Sequence, residues 1–93
     1  MTAIHRIRQK ILTGEFVFSI HTLLDKLPKL NWTTEDVVTG ILNGKIIEKL
    51  TEDPRGTRYV ILGYAVDGKE IEIVCRFRAD RKLIIITAYE PFN

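Results

Sequence analysis

Cysteine occurs once in this 93-residue chain, at Cys75, so an internal disulfide and a thiolate-pair metal site are both excluded. A lone thiol suits a reducing compartment, and the cytoplasm is the expected setting. Long apolar runs are also missing. Toward the C-terminal end the longest is Leu83 to Ile86, far short of a membrane span. The basic opening stretch, from His5 to Arg8, is not followed by an apolar segment, so no secretory leader is expected. There is no repeat, no low-complexity tract and no linker. The familiar motifs of phosphate loops, zinc-binding cysteine pairs, paired-histidine helices and serine elbows are absent, which leaves metal and nucleotide cofactors without support. No cofactor and no metal is expected.

What is present is the balance of a globular chain, 45% hydrophobic and 28% charged. Its length has room for one domain, residues 1–93, with one modest core. A net charge of +2 permits contact with RNA or an acidic partner protein without demanding either.

Three short helices are expected first. Ile4, Ile7 and Ile11 recur at helical spacing, Thr2 can cap and Gly14 closes, predicting a helix over Ala3–Leu12. Its other side carries His5, Arg6, Arg8, Gln9 and Lys10, either a solvated face or a basic arm that touches phosphates. Residues 1–14 thus form a basic N-terminal helix, and residues 15–44 a helical part. Glu15 to Phe18 reads as an extended link. Ser19 then caps a helix with Ile20, Leu23, Leu24 and Leu27 as one apolar stripe, stopped by Pro28. Thr33 caps the third helix, Glu35 and Asp36 suit its positive end, and Asn43-Gly44 is expected to end it in a left-handed turn.

From Lys45 the period changes to alternation. Four antiparallel strands are expected over residues 45–93: Ile46–Leu50, Arg58–Val66, Lys69–Arg78 and Leu83–Tyr89. The chain is therefore α+β, three short helices packed on a four-stranded antiparallel sheet. Reading Asp67-Gly68 as a two-residue turn pairs Tyr64 with Ile71, Leu62 with Ile73 and Val60 with Cys75. One face then collects Val60, Leu62, Tyr64, Ile71, Ile73, Cys75, Phe77, Ile84 and Ile86 as the core. The other collects Tyr59, Ile61, Gly63, Glu72, Val74, Arg76, Ile85, Thr87 and Tyr89, with a shallow place where Gly63 faces Glu72. Aromatic and basic groups on one surface suit stacked bases and phosphates, and ordinary cross-strand pairing is the plainer account. The apolar edge at Leu83–Ile86 would permit dimerisation, and nothing in the pattern sets the oligomeric state.

A metal-free ribonuclease that employs the RNA's own 2′-hydroxyl needs one group to take a proton, one to return it, and a cation for phosphate. His21, with Asp25 four residues later to orient it, Glu72 or Tyr89, and Arg58 or Arg76 have the required chemistry. Cys75, in the middle of the core face, is expected to be an inert thiol.

Three stretches carry a family resemblance: Phe18-Ser19-Ile20-His21, the run from Asp53 through Gly63, and Ile86-Thr87-Ala88-Tyr89-Glu90-Pro91. Together they resemble the bacterial domain of unknown function numbered four-two-five-eight, whose members are grouped with RelE-like and BrnT-like toxins. The resemblance implies a RelE-toxin-like sheet, RNA cleavage and a cognate antitoxin. It marks His21, Arg58, Tyr59, Thr87 and Tyr89 as functional positions. Asp25 and Lys26 stand where that family commonly carries arginines. Two functions follow as expectations: a toxin-like ribonuclease acting on RNA and held by an antitoxin protein, or a non-enzymatic protein-interaction module of the same fold.

Overall fold

The computed structural model describes residues 1–91. Helix α1 (Ala3–Leu12) is capped by Thr2, and its Ile7 and Ile11 are buried as the spacing predicts. Strand β1 (Phe16–Phe18) follows. Helix α2 (Leu27–Leu30) is entered through a π-helical turn at Thr22–Lys26, and α3 spans Thr34–Asn43. Strands β2 (Lys45–Leu50), β3 (Arg58–Tyr64), β4 (Glu70–Phe77) and β5 (Leu83–Tyr89) complete the chain. The protein is α+β, with a five-stranded sheet ordered β1-β5-β4-β3-β2. No helix among the described residues is long and apolar enough to cross a membrane.

The fifth strand is the first correction. Phe16, Val17 and Phe18 pair in parallel with Leu83, Ile84 and Ile85, so the expected link is a strand and the expected free edge at Leu83–Ile86 is covered. Beyond β1 the edge is closed by side chains. The Ser19 and Thr22 hydroxyls donate to the Ile86 carbonyl at 2.8 and 2.7 Å. Ile86 is the extra residue of a bulge, because Val74 pairs with Thr87 and Cys75 with Ile85. The two hydroxyls satisfy a carbonyl with no strand beside it.

The π turn overturns the expected stripe on the second helix. Its wider turn puts Thr22, not Leu23 or Leu24, against the sheet, and Thr22 is fully buried. Leu27 stays in the core, whereas Ile20 is 74%, Leu23 41% and Leu24 75% exposed. Pro28 does not stop the helix. It falls in the first turn of α2, where a missing N–H is tolerated, and the end comes at left-handed Asn31. There Trp32 N–H bonds Leu27 and Asn31 N–H bonds Pro28, a Schellman closure.

The β3–β4 hairpin carries the largest correction. Ala65 N–H donates to Lys69 at 2.8 Å, so the loop is three residues, with Gly68 alone left-handed (φ 87°). Asp67-Gly68 is therefore not a two-residue turn. The register moves by one: Ile61 pairs with Ile73, Gly63 with Ile71, Tyr59 with Cys75 and Arg58 with Arg76. A one-residue slip exchanges the faces of a strand. Ile61, Gly63 and Tyr59 lie toward the helices, and Val60, Leu62 and Arg58 lie on the open face. In β5, Leu83 and Ile85 are the core residues in place of Ile84 and Ile86.

Helix α3 is held on this sheet at both ends. At its start Thr33 and Asp36 form a reciprocal capping box, and Asp36 Oδ1 also accepts the Val66 N–H at 3.0 Å. At its end Asn43 continues the ladder that β2 leaves unfinished, giving Nδ2–H to the Tyr64 carbonyl at 2.9 Å and accepting Tyr64 N–H at 2.8 Å. Gly44 is extended (φ −89°, ψ −179°) rather than left-handed, because β2 begins at the next residue. Gly63 brings the strand against the helix backbone, since a β-carbon there would run into the Gly40 carbonyl. The Gly40 inside α3, unfavourable to a helix by ~1 kcal/mol, is explained by β4, since a β-carbon there would lie 2.6 Å from Ile71 Cγ2 and 3.1 Å from Ile73 Cδ1.

The Thr33 and Val66 N–H groups hold the Asp36 carboxyl below its ordinary value despite partial burial. A depressed folded-state pKa contributes stability above the unfolded value of ~3.9, lost as pH falls through the folded value. Asp36→Ala is expected to lower stability by about 1–2 kcal/mol at pH 7. Denaturant titrations should show that deficit shrinking below about pH 4.

Candidate functional site on the open sheet face

Helices α1 and α3 cover one face of the sheet. The other is built from alternate residues of β2 to β5, and the register sets them in rows. Arg58 stands directly beside Arg76, with Ile84 next; Val60 beside Val74 and Thr87; Leu62 beside Glu72 and Tyr89. Five of the seven residues singled out from sequence, Arg58, Arg76, Glu72, Thr87 and Tyr89, therefore share one surface. Arg76 and Glu72 lie four residues apart on one strand, so they are not a cross-strand pair, and among the described residues no ion pair joins them. Val60 and Val74, 4% and 6% exposed, form the floor between the arginine end and the Glu72–Tyr89 end.

Tyr59 lies on the other face. It packs edge-to-face on Phe77, centroids 6.2 Å apart, with Lys49 Nζ 6.0 Å from its ring. Gly63 likewise leaves the open face, and with it the expected shallow place opposite Glu72. His21 opens the helical segment beside β5. It is exposed, and its Nδ1 is 3.6 Å from Asp25 Oδ2, the orienting pair that their spacing suggests. Asp25 is shared with Lys29 at 3.7 Å.

The two arginines are held differently. Arg58 Nε donates to Asp53 Oδ2 at 2.8 Å, while Asp53 Oδ1 accepts Arg55 N–H at 2.9 Å and Arg55 Nε–H at 3.2 Å. The Arg55 backbone bond first, then the two guanidiniums, hold the Asp53 carboxyl far below the ordinary carboxylate range. It is thus ionised at every physiological pH and fixes Arg58. Sequence reasoning passed over Asp53 as a turn former. The signal was there, since an aspartate opening a Pro-Arg-Gly turn bonds the backbone two residues on and leaves an oxygen to spare. A cleft of about 580 Å³ adjoins this end, with Lys49, Arg55 and Arg58 among its walls. Arg76 has no such partner. Its Nε and the Thr87 Oγ1 are buried without a hydrogen-bond partner among the described residues. Like charges directly opposed across two strands repel, and an anion between them removes the repulsion.

At the other end Tyr89 is the direct cross-strand partner of Glu72. Burial first, then the neighbouring Glu72 carboxylate and the charge of Glu48, push the phenol up to about 12. Tyr89 therefore keeps its proton at neutral pH and is a donor. Glu48, on β2, is the second residue that sequence reasoning left out. Burial likewise pushes the Cys75 thiol up to about 12, and it is inert where it sits.

Fold and site define a small α+β domain with one helix-covered sheet face and one open face bearing two guanidiniums and a carboxylate–phenol pair. The family described as Domain of unknown function (DUF4258) matches residues 29–90, and the chain belongs to it. No curated protein and no solved structure matches the chain.

Proposed function

We propose that this protein is a toxin-like, metal-independent endoribonuclease with a RelE-like sheet, acting on RNA in the cytoplasm and restrained by an antitoxin protein. The observation that carries the reading is the Arg58–Arg76 pair, on the same open face as the cross-strand Glu72–Tyr89 pair. Two arginines at neighbouring register positions suit a phosphodiester and the extra charge that phosphate acquires during attack. Glu72 takes the proton of the 2′-hydroxyl, whose oxygen attacks phosphorus. The bond from phosphorus to the 5′-oxygen breaks, and that oxygen takes the Tyr89 proton. The products are a 2′,3′-cyclic phosphate and a 5′-hydroxyl. The proton on Glu72 passes to its cross-strand neighbour Tyr89, which restores both groups. Thr87 orients the phosphate with its unpaired hydroxyl. His21 is the alternative proton carrier, and its exposure beside β5 leaves it accessible to a large substrate.

Induced expression in a bacterial host tests the proposal, with total RNA examined afterwards and soluble levels matched. Growth arrest with RNA cleavage is expected from the parent, and neither from a variant carrying Arg76→Ala and Tyr89→Phe. Intact RNA with the parent folded and soluble would refute it. His21→Ala separates the two proton carriers: unaltered cleavage assigns the role to Glu72 and Tyr89.

One observation favours the second reading, a protein-interaction module. Ile20, Leu23 and Leu24 expose three large apolar side chains within five residues. In that case host growth is normal and loss of Arg76 or Tyr89 changes nothing in the assay.

A further inference from the structure

The basic side of α1 is not used by the open face, and it has its own cleft. Arg6, Gln9 and Lys10 of α1 face Phe77, Arg78 and Arg81 across a space of about 420 Å³. Four of these six residues are cationic and none is acidic. Two of the four are neutralised, Lys10 by Glu15 at 3.3 Å and Arg78 by Asp80 at 3.0 Å. Among the described residues Arg6 and Arg81 have no carboxylate partner. The Arg6 guanidinium carbon instead lies 4.4 Å from the centre of the Phe77 ring. That contact holds one side of the guanidinium plane against an aromatic ring and leaves the other available to a base.

Arg81 carries a second peculiarity. The β4–β5 hairpin has the same three-residue loop as β3–β4, with Arg78 N–H bonded to Lys82 at 2.8 Å. In the first hairpin the left-handed position is Gly68, and here it is Arg81, at φ 71°. A side chain other than glycine or asparagine is unfavourable there, so the turn itself gives no reason for an arginine. Its charge at the mouth of the cleft does.

Position links this cleft to the open face. Arg76 and Phe77 are consecutive in β4, so the Arg58–Arg76 pair and the cleft lie at the same end of the sheet on opposite faces. We infer that the cleft between α1 and the β4–β5 hairpin is a second binding site for the RNA backbone. It takes the part of a single strand that continues past the open face and around the sheet end. The inference rests on RNA being the ligand, as proposed above, and not on its cleavage.

The test measures binding without chemistry. The probe is a fluorescent 2′-O-methyl oligouridylate of about ten nucleotides, which lacks the attacking hydroxyl. Arg6→Gln with Arg81→Gly is expected to bind it roughly tenfold more weakly at ~0.1 M salt. The slope of log affinity against log salt should be shallower by about 1.4, two phosphate contacts on a single strand. Arg81→Gly alone relieves the left-handed residue, so it should raise the melting temperature while weakening binding, which separates lost contact from misfolding. Unchanged affinity and slope in both variants would overturn the inference and leave the open-face site standing. Absence of binding by the parent at low salt, with Arg6-dependent capture of an oligoglutamate peptide, would overturn it in favour of an acidic protein partner. Binding that depends on both arginines, in a parent that leaves unmodified RNA intact, would uphold the cleft and refute the nuclease.

Discussion

Gly63→Val is expected to leave the domain largely unfolded at 37 °C, with a loss of more than about 3 kcal/mol out of a total of about 5–15. The reason lies in backbone contact rather than side-chain packing. A β-carbon at Gly63 would meet the Gly40 carbonyl group and lie 2.8 Å from Asn43 Oδ1. The carbonyl is α3 backbone and cannot rotate away. Asn43 is also bonded to both backbone groups of Tyr64, the next residue of the strand. Moving α3 outward to admit the side chain would break that pair together with the Asp36–Val66 bond. Gly63→Ala should show the same effect in smaller degree, because the first carbon already collides. Urea denaturation followed by circular dichroism measures both. Midpoints close to the parent's would mean that helix and strand can separate without loss, against the contact described.

Arg76→Ala is expected to lower the single-turnover rate on an RNA oligonucleotide by about a hundred- to a thousandfold, the usual effect of removing one donor from the charge that develops in the transition state. Stability should move the other way. Arg76 is opposed to Arg58 with its Nε unpaired, so its removal relieves repulsion and stabilises by up to about 1 kcal/mol. A rate that collapses while the melting temperature holds or rises is a result that a structural arginine would not give. Arg76→Lys keeps the charge and loses the planar fork, and an intermediate rate is expected. A rate equal to the parent's in Arg76→Ala would remove Arg76 from the chemistry.

Local signals were legible wherever one element carried them. Thr2 with Ile7 and Ile11 defines α1, and Thr33 with Asp36, Val37 and Ile41 defines α3. The open face was half legible: β4 and the end of β5 were assigned correctly, so Glu72, Arg76, Thr87 and Tyr89 were grouped as found. The errors entered through the hairpins, the β4–β5 one displacing the expected core positions of β5 by one residue. Asp67-Gly68 fits a two-residue hairpin as well as the last two positions of a three-residue one, and the choice inverts every residue of β3. That inversion wrongly placed Tyr59 and Gly63 on the face of Arg76. Arg58 is marked by its chemistry and by the family resemblance, and only the observed register makes it the neighbour of Arg76. Strand β1 was not legible, because three residues pairing in parallel with a distant strand leave no periodicity to read. The π turn was hidden for a similar reason: its cause is the buried Thr22 hydroxyl reaching Ile86, a long-range bond with no local mark.

The closure of the β5 edge also bears on how the chain is made. Ser19 bonds a carbonyl 67 residues further along, and Phe16 waits for Leu83. As the polypeptide leaves the ribosome, the N-terminal segment emerges long before its partner exists. Residues 45–89 can zip as hairpins of neighbouring strands, whereas β1 and the π turn close last over a long loop. Until they do, the nascent chain presents Leu83–Ile86 as an uncovered apolar strand. A partner translated nearby would meet that edge before Phe16–Phe18 seal it.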